Sequence, residues 1–200
     1  MKKRWLIVLT VLALALTGCG KKDKAPAPAA SSEMPQNQVT TQPLPEQKIP
    51  TAEDLGRAEQ ADLTVMVEGM EEAVPSTLYI GDGFSLYIPD EGWEKYWVSG
   101  WRSTANDQVT LRVETYTGQS PAEVLAAMDK DYAMGPLEGD RAAGTNGEGW
   151  MVDIRFVTGP GQRTYAVILE YPPEAAEGFG ARLACIAATV EANDYASTAA

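Results

Sequence analysis

Trp93, Tyr96, Trp97 and Trp101 form the densest aromatic cluster in this chain. On one continuous strand Trp93, Trp97 and Trp101 would share a face, because side chains alternate with period two. Such a face is expected to be a core seam against a helix. The alternative is a binding patch that stacks on a glycan or peptide, since aromatic rings offer rigid area at low entropic cost. Lys95 and Ser99 have the same parity, so part of that face is expected to be wet. The nearest carboxylate groups are Asp129 and Asp131, and Asp82, Asp90 and Glu91. Calcium needs about six to eight oxygen ligands at defined loop spacing, and no such loop pattern is present. Glycoside hydrolysis needs two carboxylates facing across a cleft, which spacing alone does not establish. The stretch Gly144-Thr145-Asn146-Gly147-Glu148-Gly149 is glycine-rich. It lacks the lysine and following helix of a phosphate loop, and reads as a mobile loop between strands. No metal site, cofactor or catalytic residue is assigned.

The chain contains no histidine. That removes the usual general base at neutral pH, Ser-His-Asp and Cys-His nucleophiles, and His-ligated zinc. An enzyme here would have to work with carboxylates, lysine or tyrosine. A small carboxylate-dependent envelope hydrolase is therefore the alternative to a non-enzymatic binding or accessory module of the cell envelope.

Location is written more plainly. Lys2, Lys3 and Arg4 precede an apolar run from Trp5 to Leu16, followed by Thr17, Gly18 and Cys19. The run is about a dozen residues, short of the roughly 20 that span a bilayer. A basic start, a short apolar core and a small-residue exit are the layout of a secretory signal. Leu16-Thr17-Gly18-Cys19 resembles the lipobox of bacterial lipoproteins. The resemblance implies cleavage between Gly18 and Cys19, a diacylglycerol thioether on the Cys19 sulfur, and a protein on the extracytoplasmic face of the cell membrane. Two acyl chains anchor stably where one does not. Cys185 would then have no partner within the chain, and its apolar surroundings indicate a buried structural thiol.

From residue 61 onward there are 22 acidic and 8 basic residues, a net charge of about −14. This surface repels nucleic acid and anionic headgroups, so neither is an expected partner of the body. The expected partners are the bilayer, through acylated Cys19, and an envelope protein or wall component; the domain itself is expected to be monomeric. Scattered acids also serve solubility. Lys21, Lys22 and Lys24 sit beside the anchor, where each could add about 1 kcal/mol on an anionic surface. Residues 19–61, rich in Pro, Ala, Gln, Ser and Thr, read as a disordered tether. Thr51 could cap a short helix within it.

The folded domain is expected over 62–192, with a frayed tail over 193–200. Leu63, Val65 and Val67 alternate with polar positions, a strand pattern. Thr77–Ile80 and Phe84–Ile88 flank Gly81-Asp82-Gly83 as a β-hairpin. Trp93–Trp101 reads as a strand or two short ones. Gln108–Tyr116 alternates Val109, Leu111 and Val113 against Thr110, Arg112 and Glu114, so one face is buried and one wet. Ser120, Pro121 and Glu123 form a capping box opening a helix with Val124, Leu125, Met128 and Tyr132 on one face. A short strand is expected over Leu137–Ala142, then strands over Gly147–Val157 and Thr164–Tyr171. A last helix buries Phe179, Leu183, Ile186 and Ala187. The fold class is α+β: an antiparallel sheet packed with two main helices.

Gly83-Phe84-Ser85-Leu86-Tyr87-Ile88-Pro89 followed by Trp93, the capped helix after a strand, and the Trp150–Tyr171 hairpin leading into a closing helix come in this order. That order resembles the PsbP-like α/β/α sandwich over about residues 76–192. The resemblance implies the fold and transfers no functional residue.

Overall fold

The computed structural model describes residues 49–67 and 69–195. The signal sequence, Cys19, the Lys21–Lys24 patch, most of the tether and residues 196–200 lie outside the described residues.

Strands β1 (Gln60–Val67), β2 (Met70–Ile80) and β3 (Phe84–Pro89) pair as successive antiparallel neighbours, with a short closing strand (Glu191–Ala192) on β3. A second, seven-stranded antiparallel sheet contains β4 (Trp93–Trp97), β5 (Gly100–Ser103), β6 (Thr110–Thr117), β7 (Tyr132–Met134), β8 (Arg141–Asn146), β9 (Met151–Gly159) and β10 (Arg163–Tyr171). Its order is β4-β5-β6-β10-β9-β8-β7. Two helices complete the domain, α1 (Pro121–Met128) and α2 (Ala176–Ala188). The α+β assignment fits, with sheet predominating over helix.

β10 shows how the layers arise. Tyr165, Val167, Leu169 and Tyr171 enter one core with Phe84, Leu86, Trp101, Leu111, Leu183 and Ile186. Ala166 and Ile168, of opposite parity, enter a second core with Val124, Leu125, Met128, Val152, Ile154 and Phe156. The larger sheet is thus covered by α1 on one face, and by the smaller sheet with α2 on the other. A strand buried on both faces reads as a continuous apolar run, as Tyr165–Leu169 does.

Local chemistry sets several boundaries. Ser120 accepts from the Glu123 amide while Glu123 accepts from the Ser120 amide at 2.8 Å, the expected capping box. Gly83 has φ +80°, and a Cβ there would lie 2.1 Å from the Tyr165 hydroxyl. Gly81 serves differently: its φ is ordinary, but a Cβ would strike the Phe84 ring at 2.4 Å.

The sequence expectations need correction in four places. The packed structure begins before Asp62: Ala52 is buried, and Arg57 donates to Ser85 Oγ at 2.8 Å and to the Thr189 carbonyl at 2.9 Å. Thr51 does cap, accepting from the Asp54 amide, but only one turn forms before Gly56 at φ +65° ends it. At the other end, Asn193 is still bound to the fold, its amide donating to the Gly83 carbonyl at 2.8 Å. The α1 helix stops at Met128, because the aspartates at 129 and 131 are weak helix formers and Tyr132 pairs with Asn146 in β7–β8. Finally, the strand expected over Leu137–Ala142 runs over Arg141–Asn146 instead, so Gly144, Thr145 and Asn146 are strand and not loop. Gly144 suits that place, since a Cβ would meet the Ala133 carbonyl at 2.4 Å.

Cys185 is half-buried on α2, its thiol donating to the Thr64 carbonyl at 3.4 Å. Burial pushes the thiol above its ordinary pKa, away from the reactive thiolate.

Candidate functional site

The aromatic cluster folds as a hairpin, and the hairpin divides it. Trp93 pairs with Ser103 and Lys95 with Trp101, so Trp93, Lys95 and Trp101 share one face, along which Trp101 is buried and Lys95 exposed. Trp101 is 5% exposed and meets the Tyr79 ring edge-on at 4.8 Å, joining the two sheets. Trp93 is half-buried against the same core. Lys95 places its ammonium 4.6 Å from the Tyr79 ring centre.

Between Lys95 and Trp97 the register shifts, and Trp97 pairs with Gly100. This bulge breaks the parity that would have carried Trp97 inward. Tyr96 and Trp97 instead lie across Gly100, where a Cβ would come within 3.2 Å of the first and 3.1 Å of the second. Trp97 is 53% exposed, Tyr96 43% and Val98 74%. Trp93, Trp97 and Trp101 therefore do not share a face: Trp101 is core, though its ring meets Tyr79 of the smaller sheet where a helix was expected, while Trp97 and Tyr96 belong to the surface.

The tip is held in place. Tyr79 donates its hydroxyl to the Val98 carbonyl at 3.0 Å, and the Val113 amide donates to the Ser99 carbonyl at 2.8 Å. Beside it lies a shallow groove of about 450 Å³, bounded by Trp97, Val98, Val113, Glu114 and Tyr116. Three consecutive large apolar side chains in solvent, on a fixed turn beside a groove, have the form of an anchor for a partner surface.

Sequence reasoning missed a second constellation. Alternation along β6 puts Arg112 on the wet face, yet its side chain is 13% exposed. It donates to Glu114 Oε1 at 2.8 Å, to Glu170 Oε2 at 3.0 Å, and to the Tyr132 hydroxyl. Tyr116 donates to Glu114 Oε2 at 2.6 Å, and Asn146 to Glu170 Oε1 at 2.7 Å. Burial works against the Arg112 charge, but these carboxylates outweigh it and hold its pKa well above the ordinary value. Burial, with the Glu114 bond, pushes the Tyr116 hydroxyl up, so it stays a donor. Every oxygen of the two carboxylates is engaged, which suits a structural lock joining β6, β10, β8 and β7. The signal available in sequence was Arg112 and Glu114 at i, i+2, on one face of a strand.

The other carboxylates stay apart. Asp90 accepts from the Thr77 hydroxyl at 2.6 Å, and Asp82 lies 3.5 Å from Arg163. Among the described residues no cluster of three or more acidic or cysteine side chains could hold a metal ion.

No protein-family model matches the chain, and no curated protein matches it. Among solved structures it is similar to the solution structure of cyanobacterial PsbP (CyanoP) from Synechocystis sp. PCC 6803. Identity is 12%, with 58% of this chain and 92% of that chain covered, at a TM-score of 0.36. The chemistry of the sites described above comes from this chain's own residues.

Proposed function

We propose that this chain is a lipid-anchored extracytoplasmic binding module that captures a protein partner through Tyr96, Trp97 and Val98. The observation that carries the reading is the exposure of these three adjacent side chains on a turn fixed by Tyr79 and Val113. The acidic body favours a partner whose apolar contact is rimmed by Lys or Arg, because such charges are drawn to it before contact. The anchor rests on the order of basic start, short apolar run and Leu16-Thr17-Gly18-Cys19.

The anchor and the tip are tested separately. Cys19→Ala is expected to move the protein from the membrane fraction to the soluble fraction; membrane association that still needs detergent to release it sinks the anchor. For the tip, a photo-cross-linking residue replaces Val98 in the anchored full chain. A discrete adduct with one envelope protein is expected, lost on Trp97→Ala, with stability unchanged within about 0.5 kcal/mol as for surface substitutions generally. No discrete adduct, or one indifferent to Trp97→Ala, rejects the tip as the docking site.

A further inference from the structure

A second cavity lies on the face of β8–β9 that α2 leaves partly uncovered. Arg141 pairs with Arg155 and Ala143 with Asp153, so these four side chains share that face. Ala184 and Ala187 of α2 form one wall, and the segment from Gly135 to Arg141 the other, enclosing about 430 Å³. That is within the usual size of small-ligand sites, which combine apolar lining with a few placed polar groups. Small residues, Gly135, Ala142, Ala143, Ala184 and Ala187, make part of the lining and leave room between the larger ones.

The charged groups have different freedom. Arg155 is committed, donating to the Ala187 carbonyl at the end of α2 at 2.8 Å and to Asp140 Oδ2 at 3.1 Å. Arg141 is 61% exposed, and Asp140 is its ion-pair partner only at 3.9 Å, so its guanidinium can take another carboxylate. Asp153 is oriented by Tyr171, whose hydroxyl donates to Oδ2 at 2.5 Å. Burial, and then this bond, raises the Tyr171 pKa and keeps the hydroxyl protonated. Asp153 lines the cavity, and among the described residues no hydrogen bond reaches its Oδ1 atom. Glu138 adds a second carboxylate to the lining.

We propose that this cavity binds a small zwitterion: a free amino acid or short peptide with both termini charged. Its ammonium bonds Asp153, its carboxylate takes Arg141 bidentately, and its apolar side chain lies against Leu169 and Ala184. The lining itself holds two charges of each sign, Glu138 and Asp153 with Arg141 and Arg155, and Asp140 beside it pairs with Arg155. A simple anion would face two carboxylates and a simple cation two guanidiniums, whereas separated opposite charges meet complementary groups. The site is distinct from the hairpin tip and does not depend on it.

The test is calorimetric titration of the full-length chain in detergent micelles with the dipeptide Ala-Leu, its N-acetyl form and its C-terminal amide. Ala-Leu is expected to bind, and each capped form to bind about tenfold or more weakly, as for lost charge-assisted hydrogen bonds. Asp153→Asn should remove the distinction between free and acetylated peptide, and Arg141→Gln that between free and amidated. Ala184→Leu should fill the hollow and abolish binding with the melting transition retained. Absence of Ala-Leu binding at millimolar concentration, equal binding of all three forms, or binding that survives Ala184→Leu overturns the proposal.

Discussion

Arg112→Met is expected to destabilise the domain by about 3–5 kcal/mol, the usual cost of removing one partner from a buried ionic group. Methionine nearly matches the volume, so little of the loss is a cavity. The loss comes from Glu114 and Glu170, which are 29% and 17% exposed and would face each other without the guanidinium between them. Tyr132 would lose its donor as well, and with it one tie holding β7 to the sheet. Denaturant titration reads the effect as a lower midpoint at unchanged slope. Replacing Arg112, Glu114 and Glu170 together by apolar residues of similar size should recover only part of the loss, since no carboxylate is then left unpaired but Tyr116, Tyr132 and Asn146 lose the partners they hold. A loss below about 1 kcal/mol for Arg112→Met would show that solvent already screens this network, as it does at exposed pairs.

Trp101→Ala should cost about 3–5 kcal/mol, the range for truncating a large aromatic in a core. Trp101 is buried, contacts Tyr79 edge-on and is shared by both sheets, so neighbours on either side must relax to close the gap. Trp97→Ala, four residues earlier on the same hairpin, should leave stability nearly unchanged and act on partner capture. Thermal unfolding of the two variants separates the roles. A comparable loss in both would mean that Trp97 packs as Trp101 does.

Much of the domain was legible because the relevant signals are local. Alternation in Leu63-Thr64-Val65 marks β1, the glycines after Ile80 mark a hairpin, and Ser120-Pro121-Ala122-Glu123 marks the start of α1. Each signal acts over two to four residues, and each element formed where its signal stood. The end of α1 was not legible in the same way. Tyr132 continues the helical spacing of Val124 and Met128, and only its pairing with Asn146 and its contact with Arg112 make it strand.

The candidate sites divide along the same line. The aromatic cluster was visible as composition, but its separation into Trp101 inside and Trp97 outside depends on a bulge between Lys95 and Trp97. Parity predicts faces only while the register is unbroken. Arg112 and Glu114 looked wet because alternation distinguishes two faces without saying what packs on the second. The cavity beside Asp153 joins residues from β8, β9 and α2 with the segment before β8, and no periodicity connects them. The sequence alone determined the ordering of strands and capped helix, the absence of histidine chemistry and the motif Leu16-Thr17-Gly18-Cys19. Tertiary structure alone decided which charged and aromatic side chains are buried, because burial depends on long-range neighbours that local propensity does not encode.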